Sequence, residues 1–96
     1  MKKSYLFVYD NEVGTRDQVK AWLDSMDEVL DWRYEIPNSF YLISEKSAKE
    51  LSEHFHQVSG QRKNVGFIIT EIVDNSFGWL DGKSWYLIQN KVRKPK

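Results

Sequence analysis

The side chains that could carry catalysis in this 96-residue chain are few and widely spaced. There is no cysteine, which removes a thiolate nucleophile, a disulfide framework and cysteine-ligated zinc or iron–sulfur sites. His54 and His56 are two residues apart, and this spacing places them on different faces of a helix, where they cannot share a metal ion. No serine lies in a nucleophile-elbow pattern, and no glycine-rich phosphate loop is present. The sequence therefore argues against nucleotide hydrolysis and indicates two surface histidines.

Charges balance overall but are unevenly distributed along the chain. Lys and Arg together number 14, as do Asp and Glu, so the protein lacks the positive field of a typical nucleic-acid binder. Positive residues gather at both ends of the chain, at Lys2, Lys3, Lys91, Arg93, Lys94 and Lys96. An acidic stretch is formed by Asp24, Asp27, Glu28 and Asp31. Both patterns are typical of solvated surface, and the acidic stretch is alternatively a docking site for a protein partner.

The chain begins with an apolar run at residues 5–9. The run is closed by Asp10-Asn11, a pattern typical of a central strand that is buried on both faces and ends in a turn. Thr15-Arg16-Asp17-Gln18 has the form of a capping box and predicts the start of a helix. The apolar stripe of this helix comprises Val19, Trp22, Leu23 and Met26, and we expect the helix to end near Met26.

The middle of the chain predicts a hairpin, a second helix and a further strand. Trp32, Tyr34 and Ile36 alternate with charged residues, Pro37-Asn38 breaks the pattern, and the apolar run resumes at 40–43. A second capping box begins at Ser47, and Gly60 stands at the position of a C-cap glycine. The stripe between them is formed by Ala48, Leu51, Phe55 and Val58. A polar loop at 61–64 then leads into residues 65–73, the strongest strand pattern in the chain.

This order predicts an α+β protein with a ferredoxin-like βαββαβ arrangement, in which two helices cover one face of a four-stranded antiparallel sheet. We expect one domain over residues 1–96, with its core at about 4–74, a C-terminal extension at 75–90 and a basic tail at 91–96. Residues 77–88 fit either a hairpin turning at Asp81-Gly82 or a short helix opening near Asp81, and we favour the helix. Expected core residues are Leu6, Val8, Val19, Trp22, Leu23, Leu42, Leu51, Phe55 and Ile68.

The second face of such a sheet has no helix to cover it, and 15% of the residues are aromatic. A second copy of the chain is the simplest cover, so we expect a homodimer. The C-terminal segment that carries Trp79 and Trp85 is the alternative cover, which would leave a monomer.

Several short motifs resemble a known family, the smaller CRISPR adaptation subunit. The first strand with Asp10 at its end resembles the opening of that subunit, and Asn38-Ser39-Phe40-Tyr41-Leu42-Ile43-Ser44 resembles its Asn-Ser-Val-Phe strand running into a second helix. A closer likeness is to small proteins labelled SinR family, through Trp32, Gly78-Trp79-Leu80 and Trp85. The resemblance spans about residues 4–90 and bears on the fold more than on the activity.

The resemblance implies a metal-dependent nuclease in which Asp10 is the catalytic and metal-binding residue. In a dimer, Asp10 and its symmetry mate would hold Mg²⁺, whose charge stabilises a phosphodiester transition state. Asn11 and Glu12 lie near the same position, and Arg16 is placed to meet a phosphate. Further nucleic-acid contacts are expected from Lys2, Lys3, Lys91 and Arg93. Against this hypothesis, Asp-Asn after a strand is a common turn.

Two functions therefore stay open from the sequence. The first is a nucleic-acid-associated dimer with weak metal-dependent nuclease activity. The second is a non-catalytic dimeric module that meets a protein partner through the acidic stretch or an exposed sheet edge. The only apolar run near the N-terminus has five residues, too short for a signal peptide or a membrane span, so we expect a cytoplasmic protein.

Overall fold

The fold is α+β, with three helices and one sheet, and the computed structural model describes residues 1–60 and 66–93. In chain order the elements are β1 (Lys3–Tyr9), a 3₁₀ turn (Asn11–Val13), α1 (Arg16–Asp24), β2 (Asp31–Arg33), β3 (Ser39–Ser44), α2 (Ala48–Ser59), β4 (Phe67–Glu71) and α3 (Gly82–Asn90). The 3₁₀ turn and α3 are additions to a plain βαββαβ order. No helix in the described ranges is long and apolar enough to cross a membrane.

The four strands form one antiparallel sheet in the order β2-β3-β1-β4. The hairpin of β2 and β3 is confirmed, with Trp32 opposite Leu42. Strand β2 is shorter than predicted because it ends at Arg33. Ile36 lies in the turn that follows, where its carbonyl accepts the Ser39 N–H at 3.2 Å. Asn38 completes this turn in the left-handed conformation, with φ of 62°.

Both predicted capping boxes are present and start their helices. The Thr15 hydroxyl accepts the Gln18 N–H, and the Gln18 side chain accepts the Thr15 N–H at 2.9 Å. Ser47 and Glu50 form the same pair at the start of α2, and this bonding lowers the pKa of Glu50. Helix α2 ends at Gly60, whose φ of 61° is easily adopted by glycine.

The main core lies between one face of the sheet and the two helices α1 and α2. Phe55 is fully buried at its centre, 4.7 Å from the ring of Phe7 and 5.0 Å from that of Phe67. Trp22 is partly buried against the same ring. The predicted core positions that are buried here are Val19, Leu23, Leu42, Leu51 and Phe55. The placement of two helices on one face is therefore confirmed.

A smaller cluster lies on the second face, under α3. It joins Tyr41 and Ile43 of β3 to Leu87 and Ile88 of α3, with Leu6 partly buried beside them. The short helix favoured for residues 77–88 is thus confirmed, from its N-cap at Asp81 onwards. The predicted polar loop at 61–64 and the tail residues Lys94 and Lys96 lie outside the described residues.

Two of the predicted core residues are exposed, and the prediction that β1 is buried on both faces was wrong. Val8 is 39% exposed and Ile68 is 61% exposed. They are neighbours across β1 and β4 on the second face, to the side of α3, which packs on β1 and β3. The strand with every residue buried is β3.

Truncating the centre of the main core should destabilise the protein far more than truncating this exposed region. We expect Phe55→Ala to lower the free energy of unfolding by about 3–5 kcal/mol, because it removes a buried ring and leaves a cavity. Ile68→Ala is the matched control and should cost less than about 1 kcal/mol. Urea denaturation followed by far-UV circular dichroism measures both, and equal costs would contradict this division of the sheet.

Candidate functional site

Asp10, the predicted catalytic residue, is exposed at the end of β1 and caps the 3₁₀ turn. One carboxylate oxygen accepts the Glu12 N–H at 2.9 Å, while the Asp10 N–H donates to the Gly66 carbonyl at 2.9 Å. Asn11 is bonded to Asn38 at 2.6 Å. Across residues 1–60 and 66–93, no three His, Cys, Asp or Glu side chains are grouped to hold a metal ion. Asp10 is thus not part of a preformed cluster of three such ligands within the described residues.

The basic residues predicted to contact nucleic acid are divided between the two ends of the sheet. Arg16 lies near the Asp10 end, with its guanidinium 5.1 Å from the centre of the Tyr34 ring. Lys2 and Lys3 lie at the start of β1, seven or eight residues from Asp10, which is about 23 Å or more along a strand.

The remaining two predicted basic contacts lie at the same end as the start of β1. The C-terminal half of α3 reaches this end, since the Ser4 hydroxyl donates to the Ile88 carbonyl at 2.6 Å. Lys91 is the C-cap of that helix. Arg93 is already paired, because its Nε lies 2.8 Å and 3.0 Å from the two carboxylate oxygens of Asp31. The structure therefore does not gather the predicted contacts around Asp10.

The acidic stretch is largely engaged within the chain. Asp24 accepts the indole N–H of Trp32 at 2.6 Å, and Glu28 lies 2.5 Å from Nδ1 of His54. Asp31 holds Arg93. His54 is accordingly half-buried, whereas His56 is exposed as predicted. These pairings leave few free carboxylates in the stretch for a docking partner.

A polar network missed by the sequence analysis fastens the start of α3 to β2. Ser84 is fully buried, accepts the Arg33 Nε–H at 2.6 Å and donates to Glu35. The second oxygen of Glu35 accepts the Asp81 N–H at 3.0 Å, and the Asp81 carboxylate lies 3.3 Å from Arg33. The Arg-x-Glu alternation and the Asp-x-x-Ser pattern are visible in the sequence, but only the fold brings them together.

Tyr41 lies beside this network and has a hydroxyl with no partner. It is the one buried side-chain oxygen or nitrogen in the described ranges that makes no hydrogen bond. Burial, with the nearby Glu35 carboxylate, raises the pKa of Tyr41 to about 12, while Arg33 acts in the opposite direction.

Exposed apolar groups occur at several places on the surface, among them the second face and the loop that follows β4. Val8 and Ile68 form what we call the uncovered corner of the sheet. Phe77 and Trp79 are 85% and 88% exposed, and their rings contact each other with centroids 5.3 Å apart. We call these two residues the aromatic pair. A chain that leaves such groups in water has a surface suited to association.

Comparison of the chain with protein-family models, with curated proteins and with solved structures finds no match.

Two tyrosine-to-phenylalanine changes should separate a bonded hydroxyl from an unbonded one. The Tyr5 hydroxyl donates to the Lys46 carbonyl at 2.5 Å, so Tyr5→Phe should cost about 1 kcal/mol. Tyr41→Phe removes a buried hydroxyl that has no partner and should be neutral or stabilising by up to about 2 kcal/mol. Chemical denaturation at pH 7 measures both, and a loss in Tyr41→Phe equal to that in Tyr5→Phe would show that Tyr41 has a partner.

The pH dependence of stability in the wild type and in Tyr41→Phe tests the raised pKa of Tyr41. Between the ordinary pKa of 10.0 and the folded-state value of about 12, Tyr41 is ionised in the unfolded chain but still protonated in the folded one. Wild-type stability should therefore fall as the pH rises above 10, and Tyr41→Phe should lose less over that range.

Proposed function

We propose that this protein is a homodimeric, non-catalytic protein-interaction module that associates through its sheet. The observation that carries the proposal is the exposure of the uncovered corner beside the open edge of β4. Contiguous exposed apolar side chains mark interaction sites, and an unpaired strand edge is a template for pairing with another chain.

The formal net charge of zero means that two copies do not repel each other at long range.

The choice of the sheet over the acidic stretch follows from the internal pairings. Asp24, Glu28 and Asp31 already bind Trp32, His54 and Arg93, so a partner that used them would first have to break those contacts. The uncovered corner has no such competitor among the described residues.

The proposal includes a ferredoxin-like core and a cytoplasmic location. The sheet order β2-β3-β1-β4, with α1 and α2 on the same face, supports that topology, and α3 is then an addition on the other face. The cytoplasmic location stays a prediction from the short apolar run at the N-terminus.

A metal-dependent nuclease that resembles the CRISPR adaptation subunit is the second candidate. It is favoured by the exposure of Asp10 at a strand end and by Arg16 at the same end of the sheet. As the resemblance implies, this candidate uses a dimer that brings two Asp10 side chains together.

The oligomeric state tests the first proposal. Gel filtration coupled to light scattering should give twice the 11.4 kDa of one chain at micromolar concentration. Ile68→Ser should weaken the dimer at least tenfold, because it removes an exposed apolar side chain of the uncovered corner without touching the core. Leu30→Ser, at another exposed apolar position, is the matched control and should leave the dimer unchanged. A mass of 11.4 kDa across a wide concentration range would contradict the proposal.

Asp10→Asn tests the second candidate. Asparagine caps a helical turn about as well as aspartate, so the variant should fold normally while losing the negative charge. Both proteins should be assayed on single- and double-stranded DNA and RNA with Mg²⁺, with Mn²⁺ and with chelator. We expect no metal-dependent cleavage by either. Cleavage by the wild type that disappears in Asp10→Asn would instead establish the nuclease.

A further inference from the structure

Strand β4 lies at an edge of the sheet, and its hydrogen bonds to β1 define which of its backbone groups point outwards. The Asp10 N–H donates to the Gly66 carbonyl at 2.9 Å, and the Ile72 N–H donates to the Ser4 carbonyl at 2.8 Å. Hydrogen-bonded pairs recur at every second residue of an antiparallel ladder. The even-numbered residues of β4 therefore bond to β1, and Phe67, Ile69 and Glu71 direct their N–H and C=O groups away from the sheet.

This edge lacks the features that normally prevent strand pairing. Protected edges are short or carry lysine, proline or a bulge. The opposite edge, β2, has only three residues, and its Asp31 and Arg33 are occupied by contacts to the C-terminal region. Strand β4 reads Phe-Ile-Ile-Thr-Glu, with its one charge at the end, and nothing within residues 1–60 or 66–93 pairs with its outer side.

We propose that β4 pairs antiparallel with β4 of a second copy about a two-fold axis at Ile69, which makes one continuous eight-stranded sheet. The proposal rests on the homodimer proposed above and specifies its interface. This register uses all three outward-facing residues, since Phe67 of each copy lies opposite Glu71 of the other. Shifting the axis to Glu71 would place two like charges opposite each other and lose backbone pairs.

The same register suits the side chains on the second face. Ile68 of each copy lies opposite Thr70 of the other, and the two Ile68 side chains meet diagonally at about 7–8 Å. Val8 stands beside Ile68 in each sheet, so the two uncovered corners become one continuous apolar strip. The pairing therefore covers backbone groups and exposed side chains together.

The arrangement keeps the two Asp10 residues apart. Asp10 lies opposite Gly66, three residues along the strand from the axis, and β1 is one and a half strand spacings away from it. With about 4.8 Å between strands and about 3.4 Å per residue, the two Asp10 Cα atoms are about 25 Å apart. Two carboxylates at that separation cannot share a Mg²⁺ ion, so this dimer and the nuclease dimer exclude each other.

Cysteine cross-linking tests the register directly, because the chain has no cysteine of its own. Residues 68 and 70 of opposite copies form a non-hydrogen-bonded pair with Cα atoms about 4.5 Å apart, within the range for a disulfide. Ile68→Cys and Thr70→Cys alter exposed side chains outside the main core. The two variants should be mixed, oxidised mildly and examined on a non-reducing gel. Each variant alone and Lys49→Cys, on the exposed surface of α2, are the controls.

We expect at least tenfold more covalent dimer in the mixture than in any control, because like positions of the two copies are too far apart to bridge. Equal cross-linking in the mixture and in the single variants would overturn the register. So would the absence of cross-linking in a mixture whose native mass by light scattering is that of a dimer, and in that case the homodimer itself would stand. A wild-type chain that is monomeric throughout would overturn both proposals.

A charge substitution on β4 tests the same edge without cross-linking. Ile68→Lys places a charge on the proposed strip and should weaken the dimer at least tenfold, while circular dichroism stays unchanged. Val73→Lys alters a similarly exposed apolar residue beyond β4 and should have a smaller effect. Equal effects of the two substitutions, or none from Ile68→Lys, would overturn the pairing.

Discussion

A four-stranded sheet has two faces to cover, and the position of α3 across the sheet decides how much of the second face is covered. The loops after β1 and β3 direct α1 and α2 onto the first face, where they pack on Phe7, Phe55 and their neighbours. Only α3 is left for the other side. It runs from Arg33 and Glu35, beside β2, to Ser4 on β1. The β4 side of the second face stays in water, and the uncovered corner is the consequence.

The position of α3 along the sheet is determined by polar contacts at both of its ends. Arg33 and Glu35 hold the first turn through Ser84, and Asp31 holds Arg93 just beyond the last turn. The opposite charges of Asp31 and Arg33 meet complementary charges on the C-terminal region, Arg93 and Asp81, so a reversed helix would bring like charges together. Apolar contacts on this side are fewer than in the main core, and the unpartnered Tyr41 hydroxyl adds a small cost. Directional contacts thus set the location of a helix that apolar packing alone would hold loosely.

Local signals in the sequence predicted the parts of the structure that depend on neighbouring residues. The capping boxes at Thr15 and Ser47 fix helix starts through contacts three residues apart, and both were read correctly. The burial of Val8 and Ile68 was predicted wrongly because it depends on which part of the sheet a distant helix covers. An apolar strand has the same sequence pattern whether one face or both faces are covered. The pairings of Arg33 with Ser84 and Asp31 with Arg93 join residues 51 and 62 positions apart, which no periodicity reveals. At the candidate site the position of Asp10 at the end of β1 was predictable, but its distance from Lys2 and Lys3 emerges only once β1 is seen as a full-length strand.

The way the charges are used also bears on what kind of recognition the chain can perform. Several charged side chains are paired within the fold, among them Asp31, Arg33, Glu35 and Arg93. Because the whole chain has a formal net charge of zero, the remaining charges also sum to a small value. A polyanion such as DNA binds mainly through unpaired cations that displace its counterions. Of the described cations that were predicted to contact it, Arg93 is paired, and Lys2 and Lys3 lie at the opposite end of the sheet from Arg16. Among the described residues, exposed apolar side chains and the outer backbone groups of β4 stay open. In the dimer proposed above these groups pair with another strand, and β4 of a second copy matches β4 in length and pattern.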